Sequence, residues 1–571
     1  MSSMEPVLEP GEDRRALLAR LLRERAAARS YPLSFAQERL WFWEQLEPGS
    51  SLYNTAFALR LRGALDVEAL RRSIDGIVRR HEVLRSRFTV VDGRPVQVAE
   101  AGARAELQVE ALDALPEAER EARLASALTQ ATERPFDLGA APVIRACLFR
   151  LSAREHVLAL VLHHIASDAW SLEVLLRELS ALYAAEVRGE DAALPSLPIQ
   201  YGDYAAWQRK RLNGDAAEAP LAYWRERLAG APALLELPTD RPRGAVRRHR
   251  GADHRFTLAP ELTARLLALA QREGCTLYMA LLAGFQAVLA RHSGQDDVVV
   301  GAPISYRGRS ETQGLIGFFL NTLALRTDLG GDPTFRELLG RVRETALGAY
   351  EHQQLPFERV VEELRPERAL SSTPLFQAML ALYDAPGAAA RLPGLVATTE
   401  PIERRIARFD LSLLVEQGGG ELRAVLNYDA DLFDDAFAQR FAAHFATLLG
   451  DAVADPDARL SRLELLRGAE RERVLEWGAV RERMGAGRCL HHRFEEQAAR
   501  TPAAVAVTCE GESLSYAGLE ARAECIARHL RGLGVGPEVR VALFLERSVE
   551  MVAAVLGVLK AGGCYVPLDP V

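Results

Sequence analysis

The chain has 571 residues, 49% of them hydrophobic, with 70 basic against 78 acidic side chains and a formal net charge of −8. That length holds roughly three or four units of ordinary domain size, and the near balance of charge gives no basis for a nucleic-acid partner. The N-terminal residues are polar and acidic, so no export signal is expected there, and apolar stretches such as 552–559 are too short to span a bilayer. Six cysteines, at 147, 275, 489, 509, 525 and 564, form no CxxC pair, which is the usage of a reducing cytosol rather than a disulfide scaffold.

Residues 12–27 read as an Arg-rich helix with leucines on one side, suited to packing on the body or to docking. Ser34 is a candidate N-cap for the next helix, with Gln37 at the third helical position. A strand is expected over 52–61. A helix capped by Asp66 follows, with Leu70, Ile74, Ile77 and Val78 on one face, then a hairpin over 88–98 around Gly93-Arg94-Pro95. Further strands are expected within 139–150 and over 156–162. The second half repeats the style, with helices over 260–271, 277–291, 335–353 and 434–449. Its strands are expected over 297–302, 320–326, 376–382, 409–416 and 422–427. Two mixed α/β lobes of about 200 residues each are the natural division, with the boundary within 201–255, where Pro, Gly and Asp accumulate. Beyond a linker, 504–509, 515–531, 539–544, 548–561 and 565–568 give the strand–helix rhythm of a parallel sheet.

The most pointed stretch is Leu162-His163-His164-Ile165-Ala166-Ser167-Asp168-Ala169-Trp170. It lies where a Val- and Leu-rich strand ends and a helix begins. Side chains alternate faces along a strand, so the two histidines are expected to point opposite ways, one toward a cleft and one into the turn. A hydrogen-bonded turn residue is the alternative reading of either histidine. Metal ligation reads worse. Adjacent histidines do not easily converge on one ion, and no third ligand is obvious nearby.

Further segments carry a family resemblance. Ser34-Phe35-Ala36-Gln37-Glu38-Arg39-Leu40-Trp41-Phe42, Arg80-His81-Glu82-Val83-Leu84-Arg85-Ser86-Arg87-Phe88 and the histidine segment come first. Tyr201-Gly202-Asp203-Tyr204-Ala205-Ala206-Trp207-Gln208, Ile316-Gly317-Phe318-Phe319-Leu320-Asn321-Thr322 and His352-Gln353-Gln354-Leu355-Pro356-Phe357-Glu358 follow. In this order they resemble the motifs of a nonribosomal peptide synthetase condensation domain. Leu514-Ser515-Tyr516-Ala517-Gly518-Leu519 and the run from Leu559 to Pro570 resemble the opening of its adenylation domain.

The resemblance implies an α/β fold of two chloramphenicol-acetyltransferase-like lobes, a V-shaped pseudo-dimer with a tunnel between them, plus a truncated α/β adenylation part. The divisions expected are 1–29 for the N-terminal helix, 30–200 and 201–450 for the two lobes, 451–488 for the linker and 489–571 for the incomplete adenylation part. The chain is then expected to be a piece of a longer polypeptide that activates no amino acid by itself. Donor and acceptor peptidyl carrier proteins would bring substrates on phosphopantetheine arms, with no cofactor or metal held by this chain. The remainder of the adenylation domain would be a further partner, with no nucleic acid and no membrane.

By the resemblance His164 is the active residue, an imidazole near its ordinary pKa. His163 and Asp168 are structural, Asp168 pairs with Arg307, and Trp170, Ser305 and Asn321 are candidate channel residues. Amides at the helix start near Ala169 are expected to ease charge on a tetrahedral oxygen. Ala169 stands where the family has glycine, a residue that serves a positive φ or a close approach of substrate: if the dihedrals are ordinary helical ones alanine costs little, and if the thioester passes here one methyl narrows the channel.

The wording resembles the branch that joins L-configured donors to L-configured acceptors. A starter domain using a fatty acyl donor, a dehydroamino-acid-forming subtype and a catalytically weak carrier-docking platform are the alternatives.

Overall fold

The computed structural model describes residues 30–212, 217–365, 371–384, 391–403, 405–479 and 488–570. The helix expected over 12–27 lies outside them. The chain divides into two compact units, one up to Gly468 and one from Ala469.

In the first unit the strands are β1 (Ser30–Pro32), β2 (Asn54–Gly63), β3 (Ser86–Val91), β4 (Arg94–Ala99), β5 (Leu107–Ala111), β6 (Ile144–Ser152) and β7 (Glu155–His163). They continue with β8 (Gly251–Leu258), β9 (Asp297–Ser305), β10 (Leu320–Asp328), β11 (Ala378–Asp384), β12 (Leu395–Glu400), β13 (Leu411–Gly418) and β14 (Glu421–Asp429). Among the described residues they form a small sheet β1-β4-β3 and two large mixed sheets, β12-β2-β7-β6-β5 and β10-β9-β11-β13-β14-β8.

β7 shows why the sequence run is continuous rather than alternating. Leu158, Leu160 and Leu162 enter the main core of the first large sheet. Val157 and Ala159 enter a smaller core on the opposite face, beneath the helix Glu117–Glu133 with its Leu124 and Leu128. A strand covered on both faces needs apolar residues at every position. The second large sheet is organised around the helix Leu277–Ser293, buried over nearly its whole length and packed by Phe285 against Phe441 and Phe445 of the helix Asp435–Ala454. Each fully buried Leu or Phe there is worth about 1.5–3 kcal/mol. No single described helix is long and apolar enough to cross a membrane.

The expected lobe boundary does not follow these cores. The helix Tyr201–Arg211 falls within the expected second lobe, but Tyr201, Tyr204 and Ala205 are buried in the first core. Leu315, Ile316, Phe318 and Phe319 join them there. β12 also crosses over: it pairs antiparallel with β2, Leu395 opposite Gly63 through Glu400 opposite Ala58. The chain therefore exchanges segments between cores, which a cut at residue 200 misses. Residues 451–488 are not a bare linker either. The helix Asp435–Ala454 runs into them, and a further helix, Gly468–Gly478, has no buried residue.

The second unit holds the antiparallel pair β15 (Val505–Cys509) and β16 (Glu512–Ser515), and the parallel pair β17 (Arg540–Phe544) and β18 (Cys564–Leu568). The helix Val549–Lys560 connects the parallel strands, with Ala553 and Leu556 packed on Leu519 and Ala523. The buried Lys560 ammonium is matched by Glu495 at 2.5 Å and Glu520 at 2.6 Å.

Candidate active site

β7 ends at His163. The backbone then turns through the 3-10 segment His164–Ala166 before the helix Ala169–Arg188 starts, with Asp168 as its N-cap. The strand end is pinned by His163 N–H donating to Val143 O (3.1 Å) and His164 N–H donating to Tyr53 O (2.8 Å). Residues from earlier in the chain brace the turn as well. The Gln37 amide donates to Ile165 O at 3.0 Å, while its own helix is closed by reciprocal bonds with Ser34.

The two histidines point apart and are held in opposite tautomers. His163 is buried among Tyr53 and Phe136, and its Nδ1 accepts from Ile165 N–H at 3.1 Å. His164 is half-buried, and its Nδ1 lies 2.6 Å from Ser167 O. A carbonyl only accepts, so the His164 proton sits on Nδ1 and the lone pair on Nε2. The other wall of this ring is Phe318, with ring centroids 5.0 Å apart. Burial, then the charge of Arg408, pushes His164 down to about 3. This corrects the expectation of an imidazole near its ordinary pKa. At neutral pH the ring is uncharged and a weak base, a hydrogen-bond acceptor before it is a proton store.

Asp168 does more than cap the turn. Its Oδ1 accepts from Ser171 N–H (2.8 Å), Ser171 Oγ (2.7 Å) and Arg307 Nη2 (2.9 Å), and its Oδ2 accepts from Phe319 N–H (3.0 Å). Arg307 is buried, and its other nitrogen donates to Thr312 O (2.6 Å) and Leu315 O (2.7 Å). An ion pair this dry is held only when its remaining polar atoms are satisfied, and these bonds satisfy all of them but Arg307 Nε. Ser171 Oγ also accepts from Gly317 N–H at 3.0 Å. Because Asp168 takes up the Ser171 amide, that amide is not free for an oxyanion.

Ala169 is the first residue of its helix, exposed, and not among the residues with positive φ. The conformational reason for glycine therefore does not apply to this backbone. The Trp170 indole N–H donates to Gln313 O at 3.0 Å. Asn321 spends both ends of its amide on the loop 353–357: Nδ2 donates to Gln353 O (2.9 Å) and Leu355 O (2.8 Å), and Oδ1 accepts from Phe357 N–H (3.0 Å). It borders a small cavity that Tyr204, Tyr306, Phe318 and Glu358 also line. Ser305 lies exposed at the end of β9 opposite Leu320, and among the described residues no hydrogen bond joins it to His164.

Sequence reasoning passed over Gln37, Ser171, Tyr201 and Phe318 as site residues. Tyr201 is fully buried, and its hydroxyl donates to Phe318 O at 2.7 Å and accepts from Ser34 Oγ at 2.9 Å. A Cβ on Gly317 would overlap the Tyr201 ring, so only glycine admits this approach. The signal available was that these polar and aromatic residues lie inside or beside the quoted motifs.

The condensation-domain family model matches residues 27–475, and the AMP-binding enzyme model matches 494–571. A linear gramicidin synthase of Brevibacillus parabrevis is 46% identical over 544 residues, covering 94% of this chain and 7% of that protein. Phosphinothricin tripeptide synthetase PhsB of Streptomyces viridochromogenes is 44% identical over 551 residues, covering 94% of this chain and 46% of that protein. The chain thus spans less than half the length of these relatives. Among solved structures, a four-domain nonribosomal peptide synthetase bound to AMP and glycine superposes with a TM-score of 0.78 at 27% identity, over 95% of this chain and 42% of that one. The X-domain from teicoplanin biosynthesis gives 0.69 at 30% identity, over 76% and 97%. With the family model matching most of its length, the chain belongs to the condensation-domain family, followed by the opening of an AMP-binding enzyme.

Proposed function

We propose that this chain forms an amide bond between a donor acyl or peptidyl thioester and the amine of an aminoacyl thioester on a carrier protein, in nonribosomal peptide synthesis. The observation that carries the reading is the His164 ring: proton fixed on Nδ1 by Ser167 O, lone pair on Nε2 with no hydrogen-bond partner among the described residues, and the ring packed beside Phe318.

The neutral acceptor amine donates a hydrogen bond to Nε2 and attacks the donor carbonyl. A C–N bond forms, the C–S bond breaks, and the donor arm leaves as thiolate. The amine nitrogen becomes strongly acidic once bonded to carbon, so even a base held near 3 accepts its proton in passing and returns it to the thiolate sulfur. Most of the assistance is orientation of the amine rather than prior deprotonation.

In this reading the two cores are the two lobes of a V with a tunnel between them, carrier arms enter from opposite mouths, and the enzyme works in the cytoplasm. The motif wording supports L-donor to L-acceptor coupling, and the starter and dehydroamino-acid subtypes differ from it in the product. Reconstitution with loaded donor and acceptor carriers, followed by intact mass of the acceptor carrier, tests this. Acceptor mass rising by the donor acyl group is expected. Unchanged acceptor across L-aminoacyl, peptidyl and fatty acyl donors would overturn the reading.

A further inference from the structure

The segment 315–319 has no helix or strand of its own and lies in the first core. Buried backbone polar groups must find partners, and here side chains supply them. Arg307 takes Leu315 O, Ser171 takes Gly317 N–H, Tyr201 takes Phe318 O and Asp168 takes Phe319 N–H. Ile316 N–H goes to a residue outside the machinery described so far, His81, whose Nδ1 accepts it at 3.2 Å.

His81 is 1% exposed, between the helix Val67–Arg80 and the 3-10 turn Glu82–Arg85. Its Nε2 lies 2.9 Å from Glu178 Oε2. With Nδ1 accepting, the ring is neutral and Nε2–H donates to Glu178. Glu178 is itself buried and receives Arg80 Nε at 3.0 Å. It stands about two turns beyond Ser171 on the same helix, so one helix sets the partners for three amides flanking Phe318. Burial holds His81 below the ordinary imidazole range despite Glu178, with Arg80 and Arg307 adding to the depression.

The geometry points to His81 as a positioning residue for His164: neutral and locked by Glu178, it fixes the backbone beside Phe318 and so fixes the aromatic wall against which the His164 ring stands. It touches no reacting atom. The inference rests on the amide-forming reading for its rate effect, and on the structure alone for its effect on the His164 ring.

The test uses the full chain with loaded carriers and five forms: wild type, His81→Ala, His81→Gln, Phe318→Ala and the double variant His81→Ala/Phe318→Ala. His81→Ala is expected to slow the single-turnover rate about tenfold with carrier KM little changed, as misplacement of a catalytic group does. His81→Gln, which keeps one acceptor and one donor, is expected within about threefold of wild type. In the Phe318→Ala background the His81 substitution is expected to cost less than about twofold in rate, while the losses in melting temperature still add. A wild-type rate per folded His81→Ala molecule, or an undiminished cost in the Phe318→Ala background, would overturn the inference. Histidine side-chain 15N NMR separates this failure from failure of the amide-forming reading. His81→Ala should shift the His164 ring resonances, while His81→Gln should leave them near wild type, as should His529→Ala on the surface of the second unit. His164 resonances unmoved by His81→Ala in folded protein would overturn the inference whether or not amide is made.

Discussion

The turn that carries His164 and the segment that carries Phe318 meet ring to ring, yet they are built in opposite ways. Within the turn the side-chain bonds are local: Ile165 N–H to His163, His164 to Ser167 and Ser171 N–H to Asp168 all join residues two or three positions apart, with Gln37, Tyr53 and Val143 bracing it from outside. The segment is held from a distance, by His81 at a separation of 235 residues, Asp168 at 151 and Ser171 at 146. One half of the site is thus written in a short motif. The other exists only once the first core has closed around it.

Asp168 belongs to both halves, so its loss should break both. Asp168→Ala and Arg307→Ala each strand a buried charge and are expected to cost about 3–5 kcal/mol of stability, with activity lost alongside. In a double-mutant cycle the two costs should be strongly non-additive. Full additivity in urea unfolding would contradict the ion pair.

The turn alone is probed by acid. His163 is pushed down to about 3 by burial, then by the Arg408 and Arg145 charges, so between about 3 and 6.5 the unfolded chain binds the proton that the folded chain refuses. Its neutral form therefore leaves full stability above about pH 6.5, and stability is lost as pH falls through that window. His163→Gln, which cannot titrate, should flatten the slope of stability against pH below 6 by about 1.4 kcal/mol per unit relative to wild type. Equal slopes would show that His163 is not held neutral by its site.

The segment alone is probed through Tyr201. Tyr201→Phe leaves Phe318 O without its donor and is expected to cost about 1–3 kcal/mol. A melting temperature equal to wild type would remove Tyr201 from the clamp.

This asymmetry also explains what was legible in the sequence. β7 and the helix after it were readable because an apolar run and a helical spacing are local signals. The pairing of Asp168 with Arg307 came only from family resemblance. Nothing local says that Gln37 and His81 are buried, since their partners lie in other segments. β12 was missed because it alternates weakly, with Thr398 and Thr399 in its second half, and pairs with a strand far back in the chain. The depressed pKa of His164 was missed because burial is a property of the closed core, not of the motif.

The smallest effect is expected at the edge of the turn. Ala169 is exposed on the first helical residue with an ordinary φ, so Ala169→Gly should cost at most about 1 kcal/mol of helix stability and change turnover less than about twofold. A larger gain in turnover would show that the methyl group obstructs the channel.

The central claim is that a neutral His164, its lone pair on Nε2, orients the acceptor amine. Single-turnover amide formation by His164→Ala, measured by mass spectrometry with loaded carriers and thermal melting as control, tests it most directly. The expected result is a rate about 10²–10⁴-fold below wild type in a protein that melts normally. Wild-type-like turnover in the folded variant would contradict it.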